Sequence, residues 1–108
     1  MTKKYPLLLT PAFKDYIWGG YNLKKNYYPM SPFEKTAEAW VLSCHKDGES
    51  AVKNGELSGK TLAEAVESFD NALGKKSERF PFFPILIKMI DAEDNLSVQV
   101  HPDDKYAL

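Results

Sequence analysis

A short segment near the end of the chain has the residue types and the spacing of a metal-binding strand. Polar and apolar residues alternate strictly at its six positions, Leu96, Ser97, Val98, Gln99, Val100 and His101. Alternate side chains of a β-strand point to opposite faces, so a strand over 96–101 carries one polar and one apolar face. Positions two apart lie about 6.6 Å from each other. This spacing lets an oxygen of Gln99 and a nitrogen of His101 converge on one cation.

The same residue types also have structural interpretations. A Gln-x-His pair on a strand is more often a hydrogen-bonded pair than a metal site, and Asp103 and Asp104 alone predict a turn or a helix cap. His45 lies among charged residues at a turn, and we interpret it as a surface residue. Lys88 interrupts an apolar run, and a buried ammonium is costly without a partner. It therefore either reaches solvent at the sheet edge or binds an anion such as phosphate.

The composition favours a single folded domain. The chain has 108 residues, of which 44% are hydrophobic and 13% aromatic, with a formal net charge of −1. Near-balanced charge provides no long-range field for a polyanion, so we expect neither nucleic-acid nor membrane binding. The chain contains no apolar run long enough to span a bilayer. The lone Cys44 cannot form an internal disulfide, and we expect a cytoplasmic protein.

Turn residues and periodicity predict a mainly β fold with one or two helices. Prolines and glycines are dense in the first part of the chain, so we interpret residues 1–35 as an extended arm with short strands and a helical turn near Leu23. Strands are predicted over 38–43 and 51–53, in the apolar run before residue 91, and over 96–101. The principal helix is predicted over 62–73, beginning with a Thr61–Glu64 capping box.

Several segments, taken in chain order, resemble one family. Residues 83–92 (FPILIKMIDA) and 96–104 (LSVQVHPDD) resemble the signature stretch of type I mannose-6-phosphate isomerases. The shorter segments LTP at 9–11, IWGG at 17–20, AEAWVLS at 37–43 and GKTL at 59–62 resemble the short bacterial members. The resemblance spans residues 7–108.

The resemblance implies a cupin, an RmlC-like jelly-roll barrel, with one zinc ion per complete site. It also implies the interconversion of mannose 6-phosphate and fructose 6-phosphate. In this family His101 matches a zinc ligand and Gln99 a position that is a ligand in some members. Ser97 and Lys88 match positions that face the sugar phosphate, and Lys88 lies near the phosphate. Glu38 and Trp40 match a strand in the site wall, and no residue of this chain matches a catalytic base.

Family members are about three times longer, and their remaining ligands and catalytic arginine follow the part that this chain resembles. We therefore expect residues 1–108 to be the N-terminal portion of the domain, a partial barrel that is inactive alone. Because a partial barrel leaves a sheet edge open, we also expect self-association through that edge. The alternative is a non-catalytic cupin that binds a sugar phosphate. A weaker alternative is a structural β-domain without metal.

Overall fold

The computed structural model describes residues 3–107, and the side chains of residues 3–106. Its β-strands and α-helices are β1 (Leu9–Thr10), β2 (Ala12–Lys14), α1 (Asn22–Asn26), β3 (Glu38–Leu42), β4 (Ala51–Val52), α2 (Leu62–Ser68), β5 (Ile87–Ile90) and α3 (Asp104–Ala107). A single 3-10 turn spans Lys75–Ser77. The predicted strands over 38–43 and 51–53 and the helical turn near Leu23 are confirmed. None of the helices in the described part of the chain is long and apolar enough to cross a membrane.

The strands form two small antiparallel sheets. One pairs β1 with β4, and the other has the order β2-β3-β5. They do not close into a barrel within residues 3–107, as expected for part of one. The mainly β organisation predicted from the sequence is confirmed, with α2 the longest helix at seven residues.

The smaller sheet and α2 enclose a hydrophobic cluster. Val52, Leu57 and Ala65 are buried at its centre. The Tyr5 ring packs edge-on against Phe69, with 6.2 Å between the ring centroids. The Tyr5 hydroxyl donates to the carbonyl oxygen of Asn54 and accepts from the amide of Leu57, both at 2.9 Å. These contacts join the start of the chain to the loop after β4.

Helix α2 begins as predicted and ends early. The Thr61 hydroxyl accepts from the Glu64 amide at 3.2 Å, and the Glu64 carboxylate accepts from the Thr61 amide at 3.1 Å. The hydrogen bond from the Thr61 backbone lowers the pKa of Glu64. The predicted end at residue 73 is wrong, because Phe69 is extended at ψ 144° and Asn71 is left-handed at φ 52°. Leaving the helix lets Phe69 pack on the cluster beside Tyr5.

The strand predicted over 96–101 is not formed. Residues 95–103 have no regular secondary structure, and β5 pairs only with β3 among the described strands. A strand requires a neighbour for its backbone N–H and C=O groups, which the alternation of side chains does not supply. The Asp103 carboxylate accepts from the Tyr106 amide at 2.8 Å, so Asp103 caps α3, one of its structural interpretations.

Candidate active site

The register of the three-stranded sheet separates two kinds of face. Phe13, Ala39 and Met89 are cross-strand partners and share one face. Tyr28 covers this face, with its ring centroid 5.6 Å from that of Phe13 and its hydroxyl 3.6 Å from the Met89 sulfur. The opposite face presents charged and aromatic side chains. We call it the charged face, formed by Lys14, Glu38, Trp40 and Lys88.

Glu38 lies at the centre of the charged face. Its side chain is only 6% exposed. The same carboxylate oxygen, Oε1, accepts from the indole Nε1 of Trp40 at 2.8 Å and from the Nζ of Lys88 at 3.4 Å. A buried carboxylate is costly unless it is paired and hydrogen-bonded, and Glu38 has both kinds of partner. The sheet therefore holds a negative charge at a fixed position beside Lys88.

The two lysines lie against Trp40. The Nζ of Lys14 is 4.5 Å from the centroid of the Trp40 ring, and that of Lys88 is 5.9 Å away. Lys14 also donates to the backbone carbonyl of Asp47. Gly48 leaves room for the indole, because a Cβ at this position would lie 2.9 Å from the Trp40 ring. The loop after β3 thus helps to fix Trp40.

Tyr16 adds a titratable hydroxyl near this face. Its ring lies 5.5 Å from that of Trp18. Partial burial raises the pKa of Tyr16, and the negative charges of Glu38 and Asp47 raise it further. Sequence reasoning did not single out Tyr16 or Lys14. The alternation of side chains along a strand could have indicated which face of the sheet Lys14 lies on. Its pairing with Glu38, however, depends on a register between distant segments.

The predicted site residues occupy two different settings. Lys88 lies on the charged face, whereas Ser97, Gln99 and His101 are exposed in the irregular segment before α3. Imidazole nitrogen suits zinc, and the amide oxygen of Gln99 is a further oxygen donor. Yet among residues 3–107 no group of three or more His, Cys, Asp or Glu side chains could hold a metal ion. The donor types fit zinc in part, and their number is too small for a complete site.

Cys44 is the one cysteine of the sequence, and its side chain is buried. It borders a cavity of about 250 Å³ between α2 and the aromatic segment that contains Phe80 and Phe82. Burial raises the pKa of the Cys44 thiol, and the charge of Glu49 raises it further. A buried thiol of raised pKa is a poor nucleophile, which makes it a packing residue.

Comparison with known proteins identifies the family. Residues 7–108 match the family described as phosphomannose isomerase type I, catalytic domain. The probable mannose-6-phosphate isomerase GmuF of Bacillus subtilis is 45% identical over 103 residues, 95% of this chain and 32% of that protein. Mannose-6-phosphate isomerase ManA of the same organism is 43% identical, over 94% of this chain and 31% of that protein. The chain thus spans about a third of the length of these curated relatives.

A solved structure supports the same relationship. The crystal structure of the mannose 6-phosphate isomerase from Bacillus subtilis superimposes with a TM-score of 0.82 at 41% identity. The match covers 96% of this chain and 32% of that one. It agrees with the partial cupin barrel predicted from the sequence. The chain belongs to the type I phosphomannose isomerase catalytic-domain family.

Proposed function

We propose that this chain is part of an aldose–ketose isomerase that interconverts mannose 6-phosphate and fructose 6-phosphate. The observation that carries the proposal is the family match, which extends over residues 7–108 and so includes both the charged face and the segment containing His101. The reaction moves a proton between adjacent sugar carbons through a cis-enediol. The protein must therefore bind the phosphate, orient the two carbons and supply a base.

In this proposal the charged face takes part in binding. The Lys88 side chain is 35% exposed. One N–H group of its ammonium can therefore donate to Glu38 while the other N–H groups donate to an anion. An ammonium suits a phosphate as a compact positive charge with several donors. Ser97 has a hydroxyl that can donate to the phosphate or to a sugar hydroxyl. These groups position the substrate, and none of them is assigned as the base.

The proposal includes one zinc ion per complete site. His101 and Gln99 would provide two of its ligands. The remaining ligands would come from residues other than those that the structure describes. When bound, zinc polarises carbonyl and hydroxyl oxygens and stabilises enediolate charge without redox chemistry. The proposal also includes a cytoplasmic location, which a lone, buried thiol is compatible with.

A coupled isomerase assay on the natural gene product tests the activity. We expect conversion of mannose 6-phosphate to fructose 6-phosphate that is lost with a chelator and restored by zinc. The 108-residue chain, assayed in parallel, should show little or no turnover, because residues 3–107 do not complete a metal site. If the gene product is pure, folded and zinc-loaded, and still shows no turnover, the isomerase proposal is wrong.

A second candidate is a non-catalytic module that binds a sugar phosphate. It is favoured by the Lys88–Glu38 pair, because a partly exposed ammonium can bind a phosphate without a metal ion. Binding of mannose 6-phosphate by a gene product that never turns it over would support this candidate.

For the 108-residue chain by itself, we also propose self-association through β5. This strand lies at the end of the β2-β3-β5 order and all four of its residues are exposed. An unpaired strand edge presents N–H and C=O groups that another strand can bind. A second copy of the chain offers the same edge, and the two can pair symmetrically.

A further inference from the structure

Glu38 occupies a position where simple packing would favour an apolar residue. It lies in β3, the central strand, between Ala37 and Ala39, which are both fully buried. Its side chain is 6% exposed. Replacing a buried ion pair by apolar residues is often neutral or stabilising, so the stability of the sheet does not require a carboxylate here.

The geometry gives this carboxylate a specific task. Trp40 Nε1 donates to Glu38 Oε1 at 2.8 Å, which fixes the orientation of the carboxylate. Lys88 lies across the ladder from Trp40, one strand away, and its Nζ is 3.4 Å from the same oxygen. Glu38 and the Trp40 indole therefore lie on the sheet side of the Lys88 ammonium, and the opposite side of the ammonium remains open to solvent.

Lys14 does not compete for this role. It is the cross-strand partner of Glu38 on the other side. Its Nζ nevertheless donates to the Asp47 carbonyl and lies over the Trp40 ring. Among the contacts of the described side chains, Lys88 is the one lysine of the charged face that forms an ion pair with Glu38.

We infer that Glu38 is a positioning residue that fixes the Lys88 ammonium for the phosphate of the sugar phosphate, with Trp40 holding the carboxylate in place. The inference rests on the proposed function, because it assumes that Lys88 binds the phosphate. Without Glu38 the long, flexible lysine side chain would have to be ordered by the substrate itself, which weakens binding. The expected defect is therefore in affinity for the phosphorylated sugar, and binding of a sugar without phosphate should be unaffected.

Two substitutions and their combination test this inference in the natural gene product. Glu38→Gln removes the charge and keeps an oxygen that can accept from Trp40, so the sheet is expected to fold. Lys88→Met removes the ammonium and keeps most of the apolar stem. Glu34→Gln is the matched control, because Glu34 also pairs with a lysine, Lys24 at 3.2 Å, but its side chain is 84% exposed.

Binding of mannose 6-phosphate and of mannose is measured by calorimetry for each variant. We expect Glu38→Gln and Lys88→Met each to weaken binding of mannose 6-phosphate about tenfold, the scale of one charge-assisted hydrogen bond. The double variant should be no weaker than Lys88→Met, because both changes remove one coupled interaction. Affinity for mannose, and all binding by Glu34→Gln, should be unchanged.

The outcomes separate the inference from the function on which it rests. If Lys88→Met weakens binding of mannose 6-phosphate and Glu38→Gln does not, the positioning role is wrong and the proposed function stands. Equal losses for mannose and mannose 6-phosphate in Glu38→Gln would show general damage to the sheet and would also overturn the inference. Unchanged binding in Lys88→Met would reject the role of Lys88 in the proposed function, and the inference with it.

Discussion

The chain has two histidines, and their surroundings differ. The Nδ1 of His45 accepts from the Asp47 amide at 3.0 Å, and its ring lies edge-on to Trp40 with 5.7 Å between centroids. His101 is exposed in an irregular segment. The His45 ring thus has local hydrogen-bond and packing partners, which agrees with the surface residue predicted from the sequence. The imidazole of His101, in contrast, is accessible to a metal ion.

Replacing His101 tests its assignment as a zinc ligand. His101→Ala in the natural gene product is expected to abolish zinc retention, because removal of one of three or four ligands breaks the coordination shell. Elemental analysis after dialysis measures the zinc content. His45→Ala is the matched control and should retain the normal amount. Zinc content in His101→Ala equal to that of the unsubstituted protein would remove His101 from the ligand set.

At the residue scale, the sequence was informative about residue types and less so about partners. Lys88 was predicted either to reach solvent or to bind an anion, and the structure shows an ammonium that is partly exposed and paired with Glu38. The pairing could not be predicted, because Glu38 lies 50 residues earlier and the register of β3 with β5 depends on the whole sheet. The predicted roles of Gln99 and His101 as ligands, and of Ser97 in substrate binding, stay predictions.

At the scale of elements, Asp91 joins the first part of the chain to the larger sheet. Its Oδ2 accepts from the amides of Asn22 and Leu23 at 2.7 and 3.0 Å, where α1 begins. Its own amide donates to the carbonyl of Ala37 at 2.8 Å, and its carbonyl accepts from the amide of Gly20 at 3.0 Å. Asp91, which follows β5, therefore pairs with amides at the start of α1 that have no partner within the helix. It also holds the segments around Gly20 and Ala37 beside the sheet.

Removing this carboxylate should loosen the attachment. Asp91→Ala is expected to lower the free energy of unfolding by about 1–2 kcal/mol, the usual cost of losing a side chain that caps a helix. Urea denaturation followed by circular dichroism measures the loss. Asp94→Ala is the control, since the Asp94 carboxylate accepts only from the next amide, that of Asn95, in the contacts described. Equal stability of the two variants would contradict the role given to Asp91.

The start of α2 was predicted from a local signal, whereas the end of α2 and the strand over 96–101 depend on distant partners and were predicted wrongly. The capping box at Thr61 and Glu64 fixed the start of α2 because all its hydrogen bonds lie within one turn. The end of α2 was missed because it depends on the packing of Phe69 against Tyr5. The strand over 96–101 was predicted from alternation alone, but a strand forms only where another strand pairs with it.

At the scale of the whole molecule, the chain exposes more surface than a compact protein of its size. Its accessible surface is 8022 Å², whereas a compact monomer of this mass exposes roughly 6,100 Å². The radius of gyration is 15.9 Å, against about 13 Å expected for a compact domain of this length. Part of the excess is apolar, since Val98 is 97% and Val100 79% exposed. Such a surface favours association.

The edge strand allows a direct test of this association. Ile87→Lys places a charge on β5, and edge lysines discourage strand pairing. We expect the 108-residue chain to form dimers or larger species at tens of micromolar concentration in light scattering, and Ile87→Lys to shift it toward monomer. Ile17→Lys is the matched control, because Ile17 is exposed but lies outside the strands. A monomeric unsubstituted chain would contradict the proposed self-association.

The shortest dimension of the molecule is 16 Å, and this thinness has a thermodynamic consequence. Apolar surface exposed on unfolding sets the heat capacity of unfolding, about 12–15 cal/mol/K per residue in ordinary domains. Apolar side chains such as Val98 and Val100 are already in water in the folded chain, so the increment per residue is smaller and the stability of the isolated chain varies less with temperature. Covering these side chains with a second copy would give a negative heat capacity change on association, even where no hydrogen bond within the chain changes.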